Sequence, residues 1–550
     1  MPASESLATI LEELLDAEFE ASPVTASGLG LTDHDGRLDD LSAMAFERRD
    51  ADAARFLGRL EQLEGPLTPD ESIDRDLAVA VLRGRVILAD WEAWRRDPLV
   101  YSTPVTNGIF TLFLHRLRPE SALVAAAVAR LGEVRRAVDQ GMANLDPERA
   151  APLIVERGLG AARGAVRYLR ELVPLEVEAG PLRDRLTAAG VEAADAMEEW
   201  AAFLEELRER ATGDWRLGEE RYTRLLRERE ALDDDARSLR ARGQAEFDRL
   251  DEEMRGIARA IGSTDDYAAV LERANKDHPP TEEAMRAAYE DWTGRAREFL
   301  AETGLVTLPP GERCAVVPSP VFMRPVLGVA FYVAPPAFTD RLLGHFFVPF
   351  APDGTPAEEI QQRLEGNAYG DIPTVSVHEA YPGHHWHLVM RKANPSSIRR
   401  VFGTPYFSEG WALYTERMMR ERGFFTEPLH ELYHLNATIF RAARIVVDTS
   451  LHLGEMSFDE AVRYMVEKAA LPEPVARSEV GRYCWWPTQA SAYLTGCLEI
   501  LRIREAYLAG RGLGDTSPVD VPVEVLRDFH DSLASSGSLP LGLARRALLG

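Results

Sequence analysis

The run His-Glu-Ala-Tyr-Pro-Gly-His-His, which begins at His378, constrains the fold of this chain more than any other segment. A His-Glu pair with a second His at i+4 is a common zinc-binding pattern, because both imidazoles then leave one face of a helix. Here the i+4 position is Pro382, and the next histidines are His384 and His385. A proline removes a helical hydrogen bond and clashes with the preceding turn. A metal-binding helix must therefore be distorted at this point.

Two histidines compete for the second ligand position. On a straight helix, the i+6 position of His384 faces about 120° away from His378. The i+7 position of His385 faces only about 20° away but lies roughly 10 Å further along the axis. Pro382 and Gly383 can form a bulge that absorbs two residues and returns His384 to the i+4 role. We predict His378 and His384 as metal ligands, with His385 as the alternative to His384.

A third ligand and a general base complete the predicted site. A catalytic zinc ion takes three protein ligands and keeps one position open. Glu409, in Ser-Glu-Gly-Trp-Ala-Leu-Tyr, is the predicted third ligand. Its separation along the chain from the histidine motif leaves room for a loop and an antiparallel helix. Glu416 lies on the same helical stripe and is the alternative ligand, or else a partner that supports a ligand. Glu379 is the predicted base, which takes a proton from zinc-activated water and passes it to the leaving amine.

Two tyrosines, Tyr483 and Tyr493, could each supply a phenol that stabilises the oxyanion of a tetrahedral intermediate. We choose Tyr493, because Gln489 falls one turn before it and would face the same cleft. Each tyrosine could also be a packed aromatic residue.

Three polar residues, Arg444, Asp448 and His452, recur at i, i+4 and i+8 on one face of one predicted helix. Asp448 could orient a metal-binding imidazole, and Arg444 or His452 could bind a substrate carboxylate. A structural salt-bridge ladder is the alternative.

Helical periodicity dominates most of the chain, as in the apolar stripe that begins at Leu7 and ends at Phe19. Further stretches with this pattern are 41–63, 70–95, 119–141, 147–172, 180–211, 217–261 and 281–303. The segments 315–317, 326–333 and 346–350 are instead rich in β-branched and aromatic residues. We predict a mainly α fold with a small antiparallel sheet next to the metal helix. An N-terminal helical half (1–304) and a catalytic half (305–550) would form one continuous body.

The composition of the chain limits which binding partners and which cellular location we expect. The net charge of −26 disfavours binding to nucleic acid or to an anionic membrane. No run of eighteen apolar residues occurs, and the N-terminus lacks the pattern of a signal peptide. The three cysteines form no CxxC motif, which favours a reducing compartment. These features predict a cytoplasmic protein without a membrane or nucleic-acid partner.

Several motifs, spread nearly end to end, resemble the bacterial family known as domain of unknown function 885. They include HEAYPGHH at 378–385, SEGWALYTE at 408–416, RAARIVVDTSLH at 441–452 and SLPL at 538–541. Members of that family resemble gluzincin-type zinc peptidases. The resemblance implies an elongated helical body with a deep channel. It also implies His378, His384 and Glu409 as ligands and Glu379 as the base.

Together these patterns predict a hydrolase with one Zn²⁺ per chain, acting on peptide or peptide-like amide bonds of short substrates. An amidase acting on a small metabolite or natural product is one alternative. A non-catalytic peptide-binding scaffold is another, although an intact Glu379 argues against it.

Overall fold

The computed structural model describes residues 6–321, 323–324 and 328–550. The chain forms two compact units. The first consists of Met1–Trp215 with Val321–Val326 and Pro336–Arg341, and the second of Arg216–Pro320, Leu327–Pro335 and Leu342–Gly550. The predicted division at residue 304 therefore falls inside the second unit.

The first unit is helical in its described residues. Its helices are α1 (Leu7–Ala21), α2 (Pro23–Gly28), α3 (Ala43–Glu61), α4 (Pro69–Ala89), α5 (Leu99–His115), α6 (Glu120–Gly132), α7 (Val134–Asn144), α8 (Pro152–Arg167) and α9 (Pro181–Arg210). Helix α4 begins as its sequence dictates, because Thr68 and Glu71 form a reciprocal capping box. Helix α5 was not predicted, because it contains Pro104 and many β-branched residues. Burial of its apolar face, including Val105 and Ile109, outweighs those local preferences.

The second unit contains the remaining helices. These are α10 (Glu219–Arg224), α11 (Ala236–Gly262), α12 (Tyr267–Ala274), α13 (Glu282–Thr303), α14 (Ala357–Glu365), α15 (Ile372–Glu379), α16 (His384–Lys392), α17 (Ser397–Val401), α18 (Pro405–Glu421), α19 (Pro428–His452), α20 (Phe458–Ala469), α21 (Glu473–Trp485), α22 (Ala492–Ala509), α23 (Val523–Ser535) and α24 (Leu541–Leu549). Helix α19 is buried on nearly every face over its second half, and it packs mainly against α11. Within the described residues, no helix has the length and apolar character needed to span a bilayer.

A small sheet lies in the second unit beside α16. Its strands are β1 (Arg313–Pro318), β2 (Phe331–Val333) and β3 (Leu343–Val348), in the order β1-β3-β2. Strand β2 pairs with β3 in the predicted antiparallel sense, but β1 pairs with β3 in parallel, so the sheet is mixed. Strand β2 is shorter than the predicted segment 326–333. Residues 326 and 327 of that segment lie outside the described residues.

Helices α18 and α22 approach each other closely at two glycines. A Cβ atom on Gly496 would lie 1.9 Å from the backbone oxygen of Tyr406, and one on Gly410 would lie 2.5 Å from the backbone of Gly496. Only glycine allows this separation. The contact matters for the site, because α18 carries Glu409 and α22 carries Tyr493.

Candidate metal centre

The predicted helical bulge is in fact a break between two helices. Helix α15 ends at Glu379 and α16 begins at His384, and the peptide bond between Tyr381 and Pro382 is cis. The connecting loop turns back on α15, because the Gly383 amide donates to the carbonyl oxygen of Val377 at 3.1 Å. A Cβ atom on Gly383 would lie 1.9 Å from the His378 carbonyl oxygen, so the loop requires glycine there.

The break brings three of the predicted residues together. The Nε2 atoms of His378 and His384 lie 3.6 and 3.3 Å from the same carboxylate oxygen of Glu409. One ligand atom from each residue lies within 4.8 Å of the other two. Zinc bonds of about 2.0–2.2 Å in tetrahedral geometry require ligand atoms roughly 3.3–3.6 Å apart. The donor types suit zinc, and the two distances to Glu409 fall within this range.

Glu416 contacts His378 from outside the three-residue cluster. Its Oε1 lies 2.7 Å from Nδ1 of His378, and its Oε2 lies 3.1 Å from Nδ1 of His434. The first contact leaves Nε2 of His378 directed toward Glu409. Burial lowers the pKa of His378, but hydrogen bonds to Glu409 and Glu416 outweigh it and raise that pKa to about 9. Glu416 is fully buried, yet its contacts with His378 and His434 hold its pKa at about 2.

His385, the alternative ligand, belongs to a different network. Its Nε2 lies 2.8 Å from Oε2 of Glu312, and its Nδ1 lies 2.9 Å from the Tyr332 hydroxyl on β2. Glu312 also accepts hydrogen bonds from Tyr381 and Arg297. Both ring nitrogens of His385 are thus engaged away from the three-residue cluster.

Glu379 brings a buried carboxylate next to the cluster. Its Oε2 is buried and has no hydrogen-bond partner within the described residues. Burial raises the pKa of Glu379, although the charges of His384 and His378 oppose that shift. An open acceptor oxygen with a raised pKa is what a general base in a zinc site needs.

Tyr493 lies against the cluster on α22. Its ring is nearly parallel to that of His378, with the centroids 6.4 Å apart. Gln489 links it to Arg482: Arg482 donates to Oε1 of Gln489, and Nε2 of Gln489 donates to the Tyr493 hydroxyl at 3.2 Å. Because arginine can only donate, this chain fixes the amide orientation, and the Tyr493 oxygen acts as acceptor. The hydroxyl proton of Tyr493 therefore remains available to a further acceptor.

The three polar residues predicted on one face of α19 contact neighbouring parts of the protein. Asp448 accepts a hydrogen bond from the Tyr222 hydroxyl at 2.5 Å, so it does not orient a metal-binding imidazole. His452 lies 3.0 Å from the Tyr483 carbonyl oxygen, and Arg444 donates to the Tyr483 hydroxyl at 3.1 Å. These residues tie α19 to neighbouring elements and do not form a continuous salt-bridge ladder.

Two contributors were missed at the sequence level. His434 secures the carboxylate that holds His378, and Arg441 acts on the pKa of both Glu379 and Glu416. Both lie on α19, two helical turns apart. The spacing from His434 through Arg441 to Asp448 was the available signal, because these residues fall on one helical face.

Two solved structures share the fold over nearly the whole chain. One is a putative lipoprotein of unknown function from Shewanella oneidensis, with a TM-score of 0.76 and 21% identity, over 99% of this chain and 100% of that one. The other is a putative lipoprotein from Colwellia psychrerythraea, with a TM-score of 0.76 and 18% identity, over 98% of each chain. No curated protein matches the chain.

The predicted cytoplasmic location is contradicted by these two structures. Both carry the name lipoprotein, a class that is attached to a membrane by a lipid or released from one. The prediction rested on the absence of a recognised export pattern and on three cysteines without a CxxC motif, and neither observation outweighs the comparison.

The family of the chain follows from a match that extends from residue 23 to residue 548. The chain belongs to the family described as bacterial protein of unknown function, DUF885.

Proposed function

We propose that this protein is a zinc-dependent hydrolase that cleaves peptide or peptide-like amide bonds of short substrates. The observation that carries the proposal is the cluster of His378, His384 and Glu409, whose ligand atoms lie within 4.8 Å of one another. Two imidazoles and one carboxylate are a ligand set of catalytic zinc sites that leave a coordination position open.

The unpaired oxygen of Glu379 favours a catalytic over a purely structural site. A structural zinc site has four protein ligands and needs no base. Here a buried carboxylate oxygen without a partner lies next to three candidate ligands. When bound, zinc would lower the pKa of water and polarise a carbonyl group.

The residues of the chain would divide the remaining work. Glu379 would accept a proton from the attacking water and return it to the leaving nitrogen, so that the proton count balances over one turnover. Tyr493 would keep its hydroxyl proton and donate a hydrogen bond to the oxyanion that forms as the carbonyl oxygen gains negative charge. Burial raises the pKa of Tyr493, so its hydroxyl stays protonated and can donate near neutral pH.

The test uses Glu379→Gln, which keeps the shape of the side chain but cannot accept the proton. We expect the zinc-loaded wild type to cleave members of a panel of short peptides and N-acyl amino acids, and a chelator to stop the cleavage. Glu379→Gln should retain zinc and lose at least about hundredfold in rate, the usual contribution of a general base. Zinc content by elemental mass spectrometry and product release by chromatography give the two readouts.

A matched control is Glu358→Gln, which removes an exposed carboxylate on α14 and should change neither readout. The proposal fails if the zinc-loaded wild type cleaves nothing in the panel. It also fails if Glu379→Gln cleaves at the wild-type rate. The first outcome would favour a peptide-binding scaffold.

A further inference from the structure

Arginine side chains lie close to Tyr493. The guanidinium carbon of Arg444 lies 4.7 Å from the centre of the Tyr493 ring, and that of Arg441 lies 6.0 Å from it. A third arginine, Arg482, reaches Tyr493 through Gln489. The residue that stacks on His378 therefore has three cationic neighbours.

Only two of these arginines share a carboxylate. Arg444 and Arg482 contact the same Glu479 oxygen, at 2.7 and 2.9 Å. Arg441 forms no ion pair with the described residues. Its Nη1 donates to the Ala437 carbonyl at 2.9 Å, while its Nε is buried and has no partner. Two of the guanidinium groups thus share Glu479, whereas Arg441 makes no ion pair with a carboxylate among the described residues.

A half-buried cation without a paired anion is costly, because desolvation is not offset by a direct contact. The cost falls when a ligand supplies the anion. A guanidinium also presents donors in a planar fork that matches a carboxylate.

The position of Arg441 relates this cation to the proposed chemistry. It lies on α19, one turn before Arg444, with its guanidinium carbon 6.0 Å from the centre of the Tyr493 ring, and that ring centre lies 6.4 Å from the centre of the His378 ring. An anion bound to Arg441 would therefore lie beside Tyr493, the residue proposed to stabilise the oxyanion. Burial raises the pKa of Asp371, and the charge of Arg441 partly opposes that shift without an ion pair between the two side chains.

We propose that Arg441 binds a free carboxylate of the substrate, so that the enzyme cleaves an amide bond whose leaving residue carries that carboxylate. The substrate class is then peptides cleaved at their C-terminal bond, together with N-acyl amino acids. This inference rests on the proposed hydrolase function, which it deepens by naming a specificity residue.

The test measures binding without turnover. The probes are a panel of N-benzoyl dipeptides, each prepared as the free acid and as the C-terminal amide. They are titrated by calorimetry into the zinc-loaded Glu379→Gln variant. We expect acids to bind at least about tenfold more tightly than their amides, which is the usual effect of a charge-assisted contact. Adding Arg441→Gln should bring that ratio to about one.

Two further variants keep the result interpretable. Arg502→Gln removes an exposed arginine on α22 and should leave the preference for acids unchanged. Arg441→Lys keeps the charge but loses the fork, so it should give an intermediate ratio and serves if Arg441→Gln does not fold.

The outcomes separate this inference from the hydrolase proposal. Equal binding of every acid and its amide, or a preference that survives Arg441→Gln, overturns the role of Arg441 even if the wild type hydrolyses peptides. A preference that depends on Arg441 supports it even if no hydrolysis is found. With active enzyme, a loss of kcat that is equal on acid and amide substrates would assign Arg441 to the oxyanion and overturn carboxylate binding.

Discussion

At the scale of single residues, Glu416 decides how His378 can act. A carboxylate on Nδ1 fixes the ring orientation and leaves Nε2 as the ligand atom. The same carboxylate is held from its other oxygen by His434. Because Glu416 is fully buried, these contacts are needed to compensate its charge. The orientation of the proposed ligand therefore depends on a residue outside the proposed metal site.

Removal of the charge on Glu416 should weaken metal binding without removing a ligand. We expect Glu416→Gln to lower zinc affinity by about 10- to 100-fold, the usual effect of losing a carboxylate behind a histidine ligand. Competition with a coloured chelator measures this affinity. Glu431→Gln, which breaks only a partly exposed pair with Arg420, is the control and should bind zinc as the wild type does. Unchanged affinity in Glu416→Gln would contradict the supporting role.

The raised pKa of His378 predicts that zinc displaces a proton. With a pKa of about 9, against an ordinary value of 6.5, His378 is protonated in the metal-free protein at pH 7.5. Protonated His378 stabilises the folded, metal-free protein. This contribution is complete below pH 6.5 and is lost as the pH rises through about 9. Because zinc binds only the neutral ring, we expect release of about one proton per zinc at pH 7.5 and rising affinity up to pH 9.

Calorimetry in two buffers with different ionisation enthalpies measures the number of protons released. Binding without proton release at pH 7.5 would show that His378 is already neutral there. Zinc affinity that stays constant between pH 7 and pH 9 would show the same.

At the scale of elements, the site depends on the contact between α18 and α22. Gly496→Ala would place a methyl group against the backbone of Tyr406, which cannot rotate away. We expect the free energy of unfolding to fall by about 1–3 kcal/mol, as it does in overpacked interiors. We also expect the variant to retain less zinc. Thermal unfolding followed by circular dichroism measures the first effect. Gly481→Ala on α21, which meets nothing within 4 Å, is the control and should not destabilise the protein. A wild-type melting temperature in Gly496→Ala would contradict this account.

The sequence predicted which residues meet but not how the backbone brings them together. Pro382 and Gly383 indicated a distortion after Glu379, and the distortion is there. The predicted form was one bulged helix, because spacing alone reveals only that two residues are in excess. The actual break depends on the Gly383 amide bonding to Val377 and on the Trp411 indole bonding to the Pro382 carbonyl at 2.8 Å. The second contact joins distant segments, and local sequence carries no signal for it.

At the scale of the whole molecule, the mainly helical fold was predictable because apolar periodicity is strong in most helices. The stretch 217–261, which was predicted to be helical, contains α10 and α11. The sheet was predicted in the right region, but its parallel pair was not, since strand order depends on long-range packing. The deep channel stays a prediction. The prediction of a cytoplasmic location was wrong, because amino-acid composition is a poor indicator of where in the cell a protein is found.

The measurement that tests the central claim most directly is zinc content per chain, by elemental mass spectrometry on protein without tag histidines. The account predicts about one zinc in the wild type, little in His384→Ala or Glu409→Ala, and retention in His385→Ala, whose ring faces Glu312. A wild type that stays metal-free after zinc supplementation would contradict it. So would loss of zinc in His385→Ala with retention in His384→Ala.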